Sequence, residues 1–233
     1  MESVVQGMYE AVRLMWSRDP AVLDVVGLTL FVSGTATLLS VVIGVPLATV
    51  LALNEFPGRT LLVSLINVGM GMPPVLVGLV VALLLWRSGP LGSLGLIYTP
   101  TAMIIAQAVI ALPLVTGLGI AALQQLDPRL PLQLLGLGAS RRQMVIVLLW
   151  EARLPLLAAV MAGFGAAISE VGASMMVGGN IARQTRVLTT AIVLETSRGQ
   201  FALAMALGIV LFLLAWLVTL VLTTIQQRAG PPR

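Results

Sequence analysis

Few side chains in this sequence could do chemistry, and their absence is as informative as their presence. Among 233 residues there is no Cys and no His, and all thirteen basic residues are Arg. Without Cys, disulfides, iron–sulfur clusters and thiolate catalysis are excluded. Without His, so are His-containing triads, the common zinc sites and haem ligation through imidazole. Without Lys, a P-loop lacks the side chain it places against nucleotide phosphates. Any ATP-driven work must come from a partner, and the chain is expected to hold no cofactor, no metal and no catalytic residue. The net charge of +4 is modest, and the Arg residues are scattered. They read as loop and interface chemistry, with no nucleic-acid patch.

Three groups of residues remain as candidates. Glu170 lies in an otherwise apolar stretch, beside Ser169. A carboxylate within a membrane segment costs about 2.5–3.5 kcal/mol on insertion scales, so it usually faces a cavity or a partner. It pairs with an Arg of a neighbouring segment and fixes a gate, or it lies near enough to a surface to be solvated, or it touches a transported solute. Small residues surround it at helical spacing: Ala159, Gly163 and Ala166 in one stripe, Gly165, Ser169 and Ala173 in another, patterns that let helices approach closely. Met72, Pro73 and Pro74 interrupt a second apolar stretch and form either a pathway or hinge site or a simple packing kink. Arg183 and Arg186 follow Gly178-Gly179-Asn180. They either favour an anion at a mouth or contact an acidic partner, or belong to a solvated loop. The two glycines are expected to end a helix and turn the chain. Thr35, Thr37 and Ser40 are expected to bond back to their own helix more than to line a channel.

The elements that position these residues follow from composition. Hydrophobic residues make up 58% of the chain and charged residues 9%, against roughly 25% charged in a typical soluble domain. Four runs, 25–54, 60–86, 88–126 and 199–227, contain no Asp, Glu or Arg, and each exceeds the roughly 20 residues that cross a bilayer. The expected fold is all-α, a polytopic membrane protein with five spans: about 26–53, 61–85, 101–123, 154–177 and 202–225. Residues 1–24 do not read as a signal peptide. Val4, Met8, Val12, Met15 and Trp16 share a helical face, which lies in the membrane interface or packs on the protein.

Five spans put the termini on opposite sides. With the C-terminus inside, the inner segments hold seven Arg and the outer ones six, a slight vote for N-terminus outside and C-terminus cytoplasmic. Between spans three and four, residues 124–153 alternate apolar and basic character. Two short helices are expected there, broken at Gly136–Ser140, with Ser140 capping the second. The pair either projects as a docking element for a cytoplasmic partner or lies on the membrane surface.

Leu137-Gly138-Ala139-Ser140-Arg141-Arg142-Gln143, followed by Leu154-Pro155, resembles the signature loop of permease subunits of ATP-binding-cassette importers. The family pattern begins Glu-Ala-Ala where Leu132-Gln133-Leu134 stand here, and its Leu-Pro falls about one helical turn earlier. Other stretches agree: Gly44-Val45-Pro46-Leu47-Ala48, Phe56-Pro57-Gly58-Arg59, Met72-Pro73-Pro74 with Val77-Gly78, and Ile168-Ser169-Glu170-Val171-Gly172-Ala173. The run Met176–Ile181 and then Thr185–Thr196 is similar to the tungstate branch of the oxyanion permeases. The resemblance implies the type I importer permease fold in the cell (inner) membrane, over residues 25–226 after an N-terminal segment 1–24. Many oxyanion permeases have a further helix before the first span, and this chain is expected to lack it. The resemblance also implies a homodimer, separate ATPase subunits bound around Leu137–Arg142, and an extracytoplasmic oxyanion-binding protein. The expected substrate is tungstate, with molybdate and sulfate as neighbours. A bare carboxylate repels an oxyanion, which places direct substrate contact last among the roles for Glu170. The rival reading is a self-contained anion carrier or channel. It usually carries an internal repeat, and none is seen here. A membrane-embedded enzyme would need more polar groups within the spans than Glu170 alone.

Overall fold

The computed structural model describes Tyr9, Arg13 and residues 20–228. The expected N-terminal amphipathic face (Val4, Met8, Val12, Met15, Trp16) lies outside them. Residues 20–228 form ten α-helices: α1 Pro20–Leu53, α2 Arg59–Met70, α3 Pro74–Leu85, α4 Pro100–Gln124, α5 Leu130–Gly136, α6 Arg141–Glu151, α7 Arg153–Ile168, α8 Gly172–Gly178, α9 Leu188–Ser197 and α10 Phe201–Arg228. A 3-10 turn, Gly92–Leu94, follows α3, and there is no strand among the described residues. Helices α1, α4 and α10 are each long and apolar enough to cross a membrane. The pairs α2–α3 and α6–α7 pass the same test together, bent by 105° and 69°.

Helix α4 is the hub, with α1, α2, α3, α7 and α8 packed on it. Small residues allow this. A Cβ on Gly163 of α7 would sit 2.7 Å from a Val115 methyl, one on Gly44 of α1 would sit 2.9 Å from Thr116 Oγ1, and one on Gly119 of α4 would sit 2.9 Å from Ala48 Cβ. Such contacts replace the hydrophobic drive that lipid does not supply. Two apolar cores lie at opposite ends of α4. One gathers Val77, Val81, Leu85, Met103, Ala173 and Val177. The other gathers Ala122, Leu123, Leu148, Ala152 and Leu156. Met103 and Leu123 are twenty residues apart on one helix, about 30 Å.

Two expected spans are not single rods. The second breaks at 71–73, as Met72-Pro73-Pro74 predict. Neither proline has an N–H to continue the α2 ladder, and Pro74 suits the first position of α3. The fourth, expected as 154–177, is divided: α7 stops at Ile168 and α8 begins at Gly172. The two breaks adjoin, since a Cβ on Gly172 would lie 2.8 Å from Cγ2 of Val75. From there α3 and α8 pack so closely that a Cβ on Gly78 would approach Ala173 Cα to 2.5 Å. The stripe through Gly163 makes the expected close approach, but Gly165 has nothing within 4 Å of where its Cβ would be.

Candidate coupling and pathway site

The 124–153 segment builds its turn from local bonds. Asp127 Oδ1 accepts from the Arg129 amide at 2.8 Å, and Pro131 sits in the first turn of α5. The helix ends as expected at Gly136–Leu137. Gly138 then takes φ +85°, a left-handed conformation that costs a side-chain-bearing residue about 1 kcal/mol or more. It lets the Gly138 and Ala139 amides turn back to the Leu135 and Leu134 carbonyls, each at 3.0 Å. Ser140 caps α6 as predicted, in a complete capping box: its Oγ accepts from the Gln143 amide at 3.3 Å, and Gln143 Oε1 accepts from the Ser140 amide at 2.8 Å.

The result is a projecting turn. Leu137 is 86% exposed. Gly138, Ser140, Arg141 and Arg142 are exposed and Ala139 is half-buried. Neither Arg141 nor Arg142 has an ion-pair or hydrogen-bond partner among the described residues. Behind the turn, Leu148 is buried against the end of α4. At the α6–α7 bend, the Arg153 guanidinium lies 4.7 Å from the Trp150 ring centroid and donates to the Trp150 carbonyl at 2.9 Å. Gln226 of α10 donates to the Leu154 carbonyl at 3.1 Å. Arg141 also faces a cavity of about 570 Å³ shared with Asn54 and the end of α1. An exposed apolar knob flanked by unpaired cations suits a groove on another protein.

Glu170 is not on a helix. It sits in the break between α7 and α8, 6% exposed, and the partner of its carboxylate is a backbone amide, not an arginine. Its Oε1 accepts from the Ala173 N–H in the first turn of α8 at 2.7 Å. Its own carbonyl accepts from Thr189 Oγ1 at 2.9 Å. Ser169 Oγ donates back to the carbonyls of Gly165 (2.7 Å) and Ala166 (3.3 Å). The break is therefore satisfied within the protein, as a helix interruption at membrane depth must be. The carboxylate is placed to favour the positive end of α8. Met72, Pro73 and Pro74 are exposed on the neighbouring break, so the two pathway candidates come together.

Gly179 ends α8 with φ +70°, as the glycine pair predicts. The loop that follows is closed by its own hydrogen bonds. Buried Thr185 donates to the Gly178 carbonyl and accepts from the Ile181 amide. Arg186 is half-buried and bonds Asn180 through Oδ1 at 3.2 Å and the carbonyl at 3.3 Å. Arg183 is exposed with φ +61°. Both line a cavity of about 560 Å³ with Asp24 and Phe31, so a carboxylate shares the space with the cations. These arginines stand at the end of the bundle opposite the 137–142 turn. Thr37 bonds its own helix at the Ser33 carbonyl, while Ser40 reaches both Ala36 and, on α4, the Ala108 carbonyl.

One functional candidate was missed. Gln107, 1% exposed, joins three helices through its amide. Its mark in the sequence is a strongly polar side chain in the middle of an uncharged run.

Residues 40–231 match a family model described as binding-protein-dependent transport system inner membrane component. The chain is similar to the tungstate uptake system permease protein TupB of Peptoclostridium acidaminophilum, with 39% identity over 227 residues covering 97% of this chain and 100% of that one. It is also similar to TupB of Campylobacter jejuni, with 33% identity over 93% of this chain and 90% of that one. Among solved structures, a chain of the MetNI methionine ABC transporter in an inward-facing conformation superposes with TM-score 0.73 at 22% identity, covering 94% of this chain and 99% of that chain.

Proposed function

We propose that this chain, which belongs to the family of binding-protein-dependent transport system inner membrane components, is the permease subunit of an importer that carries tungstate into the cell. The family match over residues 40–231 and the similarity to two tungstate uptake permeases carry the reading. It is a multi-pass helical membrane protein with the fold of a type I ABC importer permease. Such a permease works with separate ATPase subunits and a substrate-binding protein.

In this reading two copies form the pore, with the C-terminus and the 124–153 segment in the cytoplasm. The ATPase subunits engage Leu137, Gly138, Ala139, Ser140, Arg141 and Arg142. The exposure of that turn and its unpaired cations support this assignment. ATP binding and release rock the halves about the adjoining breaks at Met72–Pro74 and Ser169–Glu170. The loaded binding protein meets the outer end near Arg183 and Arg186. The chain itself takes no cofactor in this scheme. Glu170 serves as a structural cap at the break and not as an anion ligand, because its carboxylate is already engaged with Ala173.

The test is ATP hydrolysis by the reconstituted complex, with tungstate-loaded or empty binding protein. The loaded protein is expected to stimulate hydrolysis, and Gly138→Trp or Arg141→Glu to abolish the stimulation. Tungstate movement by this chain alone in liposomes, without an ATPase, would overturn the reading in favour of a self-contained carrier.

A further inference from the structure

Ser33, Gln107 and Ser174 stand on α1, α4 and α8, and each is at most 1% exposed. Ser33 Oγ donates to Gln107 Oε1 at 3.0 Å, and Gln107 Nε2 donates to Ser174 Oγ at 3.1 Å. Close helix packing in a membrane draws on small residues and dispersion as well as on interhelical hydrogen bonds, and α4 already has the first. A buried amide at this point is costly unless bonded, and it contributes something packing does not, a directional connection. Apolar surfaces such as Gly78 against Ala173 can slide, whereas a hydrogen bond fixes register.

The helix so fixed is α8, seven residues long and cut off from α7 by the 169–171 break. It is the part of the fourth span beside the second span's break. Ser33 also has a second option. Thr29, Thr37 and Ser40 on α1 all donate to the carbonyl four residues back, and Ser33 on the same helix can do the same at the Thr29 carbonyl. Opening therefore leaves Ser33 a bond within α1 but strands the buried Gln107 amide, a cost that holds the closed arrangement until it is driven apart.

We propose that Ser33, Gln107 and Ser174 form a latch. It fastens α8 to α1 and α4, so that the outer half of the subunit turns as one body about the two breaks and stays in its resting position until the partner subunits drive it. Gln107 is a positioning residue; it touches no anion. The inference rests on the importer reading above.

The test uses the full complex of permease, ATPase and binding protein in liposomes. Gln107→Leu and Ser174→Ala are compared with Thr116→Val, which removes a buried hydroxyl bonded only within its own helix. The two latch variants are expected to raise hydrolysis without loaded binding protein about fivefold, the shift one net hydrogen bond makes in a two-state equilibrium. Tungstate moved per ATP should fall correspondingly, while Thr116→Val leaves that ratio unchanged.

The chain has no Cys, so a single Ser169→Cys reports the state of the break directly. Its reaction with a membrane-impermeant maleimide should accelerate in the Gln107→Leu and Ser174→Ala backgrounds. Should Gln107→Leu not fold, Ser174→Ala carries both readouts alone. Wild-type tungstate-to-ATP ratios and labelling rates in folded variants would overturn the latch, whatever happens to their melting temperature. A wild-type complex that loaded binding protein does not stimulate would instead overturn the importer reading.

Discussion

The two ends of the subunit are held together by different physics. At the α8 end, bonds join residues far apart in sequence: Ser33 to Gln107, Gln107 to Ser174, the Leu188 amide to Thr29, and Thr189 to Glu170. At the 124–153 end, the bonds that shape the turn join residues at most five apart. The apolar surfaces differ in the same way. Val77, Met103 and Val177 are buried, whereas Leu132, Leu137, Ile146 and Val147 are exposed. One end is completed by this chain's own tertiary contacts. The other is a finished local shape whose apolar side chains stay exposed.

The largest effect is expected at Gly78. Gly78→Leu places a side chain where a Cβ already meets Ala173 backbone. Overpacking costs roughly 1–3 kcal/mol and sometimes more, and here no flexible side chain can yield. The expected outcome is no monodisperse protein on size exclusion in detergent. Gly165→Ala, with open space around it, should elute as wild type.

The opposite pattern is expected at the other end. Leu137→Asp should leave the melting temperature unchanged, because Leu137 is 86% exposed. Stimulated ATP hydrolysis should fall by about tenfold or more, the scale of losing one interface hot spot. A lowered melting temperature with intact stimulation would reverse the roles of the two ends.

Glu170 separates capping from charge. Glu170→Ala removes the acceptor for the Ala173 amide and should cost roughly 1–2 kcal/mol in thermal or denaturant unfolding. Glu170→Gln keeps an acceptor oxygen and should recover most of that loss. If Gln is as damaging as Ala, the charge matters beyond this bond. The smallest effect is expected for Ser140→Ala. Loss of the cap costs about 1 kcal/mol locally, read as faster amide exchange in the first turn of α6 with little change in global unfolding.

Much of this architecture was readable from composition and local chemistry. Apolar runs of membrane-crossing length located α1, α4 and α10. Gly138, Ser140 and Gln143 specify their turn within a few residues, so its form needed no tertiary knowledge. The prolines at 73 and 74 announced the first break for the same reason. The second break had no such marker. Ile168-Ser169-Glu170-Val171-Gly172 contains no proline, and what holds it open is Thr189, nineteen residues away, together with the Glu170 side chain folded back onto α8. An intramembrane carboxylate suggested an arginine partner or a gate, because pairing with a backbone amide requires that the helix be already broken. Gln107 escaped notice because its partners lie 74 and 67 residues away.

The capping box at Ser140 also sets a timescale. A bond that closes within four residues re-forms as fast as helix and coil interconvert, about 0.1–1 μs. The α1–α4–α8 bonds must wait for whole helices to return to register. The first turn of α6 can therefore melt and re-form repeatedly while the rest of the subunit stays folded. A partner that grips only the folded turn meets an equilibrium established long before it arrives. Its association rate is then set by collision, and ordering of the permease adds no delay.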